Sequence, residues 1–225
     1  RGPLDAAVAA CPGWDLRMLT EHQGVIHRWA RHCAANAARP ESTDQFEPAG
    51  DLDADGLANW LEVGAAELID TLNHLDPDAP TWHPFTVPRV GRVWPRRQAQ
   101  ELSLHRWDAE HAVGDTAPID PELASDGIDE YFELAVPRLI KREGLTLPSG
   151  SLHIHCTDTH GEWLVSTTAD GYHVVRAHQK GDAALRGPAE PLVLRLWKRE
   201  SSRFDELSPV GDESVLQSWL ALAGL

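Results

Sequence analysis

A chain of 225 residues is long enough for one large domain or two small ones, and either can bury a core. With 35 acidic against 20 basic residues the formal net charge is -15, which repels a polyanion and sets nucleic acid aside as a partner. No stretch reads as a signal peptide or a membrane span. Cys11, Cys33 and Cys156, odd in number and without a CxxC pair, argue against a disulfide framework and a thiolate zinc knuckle, so a cytoplasmic protein with no membrane partner is expected.

Residues 1–10 read as the end of a short helix or a turn, broken at Cys11-Pro12-Gly13. Trp14 follows as an anchor. Asp15 suits the N-cap of a long helix, in which Leu16, Leu19, Ile26, Trp29 and Cys33 recur on one face and His22 falls within that stripe. The Pro-, Asp- and Gly-rich run from Arg39 to Gly56 predicts a long loop, of the kind that often borders a site. A second helix is expected from Leu57 to Leu75. Asp76 to Pro88 carries four prolines and cannot stay helical; Trp82, His83 and Phe85 there either wall a pocket or belong to a packed loop or hairpin.

Trp94 to Val113 reads as the central helix, with Pro95 in its first turn, where a missing amide costs nothing, and Gly114 at its end. Pro121 opens a fourth helix that runs to Gly144. Four amphipathic helices in succession predict a bundle. After Pro148-Ser149-Gly150 the period changes to alternation. SLHIHCTD, EWLVSTT, GYHVVRAH and AALRG read as strands, with turns at Thr159-His160-Gly161, Asp170-Gly171 and Gly181-Asp182. An amphipathic helix from Ala189 and a last helix from Ser214 to Ala223 complete the chain. The expected fold is α+β: a four-helix bundle over residues 1–146 and a small mixed domain with an antiparallel sheet over residues 147–225.

Glu101 and His105 stand four apart in the central helix and so share one face. Joined by His22 from the first helix, they would make a three-ligand metal site with an open position, as a catalytic metal requires. Taken separately, each has a plainer explanation: a Glu and a His at this spacing often pair only with each other, and a His on an apolar stripe is often a core residue. Asp108, three after His105, could orient that ligand from behind, or be a solvated acid paired with Arg106 or a nearby cation. His27 lies roughly 140° around the helix from His22 and is left out. His153 and His155 share a strand face, with His160 near, and could form a second site, but spacing fixes no acidic or thiolate partner for them, and a solvent-facing strand is the more economical account. Cys33, on an apolar face, is expected to be inert packing.

CPGWDLRMLTEHQGVIHRWA, with its Gly-Trp pair before the helix and the step from Trp14 to His22, resembles the opening of the mycothiol-dependent maleylpyruvate isomerase family, within the DinB-like four-helix metalloproteins. ELSLHRWDAEHAVG is similar to that family's third-helix motif. HIHCTDTHGEWLV and HQKGDAALRGPAEPLVLRLWKRE resemble the small domain that often follows. The resemblance implies His22, Glu101 and His105 as ligands of a divalent metal, most simply zinc, with mycothiol or a similar thiol as cosubstrate and a small electrophile as substrate. It also points to Arg199, at the end of the helix holding Leu194 and Trp197, near where these isomerases keep an arginine for substrate carboxylates; Arg195 could substitute.

In that chemistry a thiolate formed at the metal adds to an electron-poor double bond, which rotates before the sulfur leaves; if the adduct is retained, the outcome is S-conjugation. Two rivals remain on sequence grounds. One is metal-assisted hydrolysis, which needs no thiol; the other is a non-catalytic metal-binding or sensor protein.

Overall fold

The structure, a computed structural model, describes residues 3–144, 146–169 and 171–222. The fold is α+β, and the chain divides into two compact units, Arg1–Ala117 and Pro118–Leu225.

In the first unit, turns joined by an antiparallel bridge between Ala7 and Asp15 lead into α1 (Leu16–Asn36), so the turn alternative holds for the opening segment. The Asp15 carboxylate accepts from the Met18 amide at 2.9 Å, satisfying one free donor of the first helical turn. α2 (Ala54–His74) is capped in the same way by Asp53, and α3 (Val93–Val113) stops at Gly114, whose φ of 76° is left-handed. α1 packs on α2 because one glycine in each helix opens the contact. A Cβ on Gly24 would stand 2.0 Å from the Trp60 ring, and one on Gly64 would stand 2.3 Å from the Arg28 guanidinium. Arg28 lies over Trp60, 4.2 Å from the ring centroid, and donates to its carbonyl at 2.8 Å.

The core of this unit gathers Ala30, Cys33, Ala34, Leu68 and Trp94. Trp82 joins it edge-on to Trp29 and donates its amide to the Cys33 carbonyl, while His83 is wholly buried. The proline-rich segment is therefore the packed loop or hairpin alternative, its ends joined by an antiparallel bridge between Pro80 and Val90.

The second unit opens with α4 (Pro121–Glu130), capped by Asp120. The single helix expected to run on to Gly144 is interrupted by a π-turn at Tyr131–Ala135 before α5 (Val136–Glu143). Pro137 supplies no amide, and the ladder shifts so that the Val136 amide reaches the Tyr131 carbonyl; the Phe132 carbonyl accepts from the Tyr172 hydroxyl at 3.0 Å.

Among the described residues five strands follow: β1 (Ser151–Cys156), β2 (Glu162–Thr168), β3 (Gly171–Val175), β4 (Ala183–Gly187) and β5 (Ser208–Gly211), in the spatial order β3-β2-β1-β4-β5. The sheet is mixed rather than wholly antiparallel. After β3 the chain crosses back and lays β4 parallel to β1. β5 was not expected, because Ser-Pro-Val-Gly carries no apolar alternation; it is an exposed edge strand, where Pro209 is tolerated. α6 (Ala189–Leu196) and α7 (Glu213–Leu220) pack on β4. Asp170 of one expected turn and Ala223 of the last expected helix lie outside the described residues.

The boundary expected at residue 146 falls instead at Ala117, and the fourth bundle helix is counted with the sheet. α4 packs beside α6 and buries Ala124 and Ile128. The change of period after Pro148 marks a change of secondary structure, not of core. Among the described residues no helix is long and apolar enough to cross a membrane.

Candidate metal centre

The facing side chains of α1 and α3 bring His22, Glu101 and His105 together, with one donor atom of each within 4.8 Å of the others. His22 Nε2 and His105 Nε2 each stand 3.4 Å from the same oxygen, Glu101 Oε1. The two imidazoles meet edge to face at 5.3 Å, and the Trp14 ring packs on His22 at 4.9 Å.

Behind these donors stand two fixed charges. Asp108, whose side chain is fully shielded from solvent, accepts from His105 Nδ1 at 3.0 Å. That bond keeps a proton on Nδ1 and turns Nε2 toward Glu101. Arg97, four residues before Glu101, donates to Oε2 and leaves Oε1 for the site. Arg106 pairs with Glu110 at 3.1 Å.

Burial alone would push the Glu101 carboxyl up, but Arg97 and the hydrogen bonds from His105 and His22 outweigh it and hold the group well below the usual carboxylate range. Burial likewise opposes charge on His105, yet Asp108 and Glu101 prevail and raise it to about 9. Two imidazole nitrogens and one carboxylate oxygen, with a buried acid behind one imidazole, are a donor set that fits a zinc-like divalent ion and leaves a coordination position open.

Beside His22 opens a cavity of about 590 Å³, bordered by Trp14, Met18, Glu21, Glu47 and Asp51. The loop between α1 and α2 supplies its far wall, as the composition of residues 39–56 suggested. Trp82 is instead taken up in the core. Sequence reasoning passed over Cys11, whose sulfur lies within 4.8 Å of donor atoms of His105 and Asp108. The available signal was its place in the Cys-Pro-Gly-Trp run just before α1. Burial pushes the thiol of Cys33 up to about 12, in keeping with inert packing, and that of Cys156 up to about 11. His27 is buried against Gln23, at 3.1 Å.

Arg199 belongs to the second unit, beyond the end of α6 rather than within it. It is buried, and its Nη1 donates to the Trp197 carbonyl at 3.0 Å. The Arg195 guanidinium lies 5.4 Å from the Phe204 ring centroid. In the same unit His153 and His155 face Glu162, an acid that cross-strand register rather than sequence spacing brings to them.

Residues 2–110 match the family model described as the mycothiol maleylpyruvate isomerase N-terminal domain. No curated protein matches the chain. Among solved structures, a "UbiJ-SCP2 Ubiquinone synthesis protein" is similar at 19% identity over 47% of this chain and 92% of that one, with a TM-score of 0.31, a likeness that bears on neither fold nor function. The matched residues take in α1, α2 and most of α3, and with them His22, Glu101 and His105. Over residues 2–110 the chain thus carries a domain of the mycothiol maleylpyruvate isomerase amino-terminal type, a mycothiol-related, DinB-like group.

Proposed function

We propose that this protein is a metal- and thiol-dependent transferase or cis–trans isomerase, with zinc held by His22, Glu101 and His105 and mycothiol or a similar thiol as cosubstrate. The observation that carries the reading is the convergence of these three donors from two helices, with Asp108 and Arg97 behind them. A divalent ion bound there would supply the Lewis acidity that lets a thiol lose its proton near neutral pH.

The protein's own groups do the rest. Asp108 holds the His105 tautomer, Arg97 fixes the Glu101 rotamer, and Trp14 limits the swing of His22. Glu21, Glu47 and Asp51 border the adjoining cavity as hydrogen-bond acceptors, suited to the hydroxyls of a sugar-bearing thiol. The same carboxylates would repel a dicarboxylate, which favours an uncharged electrophile on this side of the site. Sulfur adds to the electron-poor carbon; retention of the adduct is conjugation, and rotation followed by expulsion of sulfur is isomerisation. A free thiol cosubstrate fits the reducing cytoplasm.

The test pairs metal analysis with turnover, in the wild type and in His22→Ala. The variant is expected to lose one metal equivalent and turnover together, and wild-type turnover to require added mycothiol. Equal metal content in the two proteins would remove the site, and turnover without thiol would transfer the reading to hydrolysis.

A further inference from the structure

On the polar face of the sheet in the second unit, three imidazoles converge on one carboxylate oxygen. Alternation along β1 buries Leu152, Ile154 and Cys156 and sends His153 and His155 to the other face. Antiparallel register sets Glu162 of β2 directly opposite His155, and the wholly buried Trp163, donating to Asp129, anchors that end of β2. Beyond β3 the chain returns over the sheet and brings in His178.

Glu162 Oε1 stands 3.0 Å from His153 Nε2 and 2.7 Å from His155 Nδ1, and it also contacts His178 Nδ1. The ring centroids of the three histidines form a nearly equilateral triangle with sides of 5.7, 6.0 and 6.1 Å. One donor atom from each of the four residues lies within 4.8 Å of the other three.

We propose that His153, His155, His178 and Glu162 form a second divalent-cation site. The inference does not rest on the thiol chemistry proposed for the first unit. A carboxylate oxygen offers two lone pairs, so three imidazole donors exceed what Glu162 Oε1 can accept. A cation among them removes the conflict, because each facing nitrogen becomes a donor of its lone pair once the ring proton moves to the other nitrogen.

Three imidazoles and one carboxylate, without thiolate, suit zinc and its borderline neighbours rather than calcium or magnesium. Four protein donors complete a tetrahedral shell. The site is therefore closed, unlike the three-donor set on α1 and α3, and its effect is structural or regulatory. His153, His155 and Glu162 are half-buried on paired strands, whereas the His178 side chain is 82% exposed on the segment after β3. Metal binding would clasp that segment to the sheet. Arg186, in register with His155 on β4, is exposed, so water screens its charge from the cation.

The test is zinc titration of the tag-free, chelator-stripped full chain against a competing chelator, followed by cobalt substitution. The wild type is expected to take up two equivalents and His22→Ala to keep one. Adding His178→Ala or Glu162→Gln to that background should weaken the remaining site about 100-fold or more, beyond the loss typical of removing an outer partner. Cobalt at this site should give the intense visible absorption of a tetrahedral centre. His178 is exposed, so its replacement leaves folding intact, which circular dichroism checks. A wild type that takes up no zinc beyond the equivalent lost in His22→Ala overturns the proposal, as does a residual equivalent that survives both His178→Ala and Glu162→Gln. Failure of His22→Ala to lose metal bears on the first site alone.

Discussion

Glu101 keeps its charge in a place where burial argues against it because Arg97 faces one of its oxygens and two imidazoles face the other. His105 is the complement, an imidazole whose proton Asp108 and Glu101 retain up to about pH 9. In the metal-free protein its folded value lies above the ordinary 6.5, so its stabilisation is fully present below that pH and is lost as pH rises through about 9. A metal must displace this proton. Zinc affinity at the first site should therefore rise by up to about tenfold per unit as pH climbs toward 9, then level off. Asp108→Asn should move that plateau to lower pH and weaken binding about 10–100-fold, as lost outer partners do. Competition titrations at several pH values check both, and a flat profile would refute the role given to His105. The ligand spacing in α3 was legible because it is local. The contact of Asp108 with His105 was not, since only packing decides which side of α3 is closed to water.

At the scale of elements, α1, α2 and α3 could be read within a few residues from their caps, their apolar period and Gly114. Each of these signals acts over one turn of chain. What a single helix does not disclose is why it needs a glycine. Gly24 sits mid-helix, where alanine is worth about 1 kcal/mol more in propensity, yet a methyl group there would enter the Trp60 ring. Gly24→Ala should destabilise the protein by about 1–3 kcal/mol, the usual cost of overpacking, as read from denaturant midpoints. A variant as stable as the wild type would mean that α2 and Trp60 yield freely. The π-turn before Pro137 is a similar case. The proline was visible, but the direction in which the ladder shifts depends on the tertiary partner, Tyr172, that takes up a carbonyl of that turn.

Over the whole molecule the surplus of acid dominates, with a net charge of -15. Mutual repulsion favours the expanded chain, and salt screens it. Raising sodium chloride from low to physiological ionic strength should raise Tm, by about 2–4 °C for each 1 kcal/mol of repulsion removed; a fall would show that attractive ion pairs outweigh the repulsion. Composition and local periodicity were enough to establish an α+β chain, its helices, four of the five strands among the described residues and a Glu–His pair aimed one way from α3. These depend on neighbours in the chain and on hydrogen bonds that close within a turn or a hairpin. Folding in three dimensions decided the rest: that His22 reaches Glu101, that α4 packs with α6, that β4 runs parallel to β1, and that Glu162 and His178 meet the two histidines of β1. Each of these joins residues far apart in the chain, where the return path and the register of packing, rather than any spacing, determine which side chains touch.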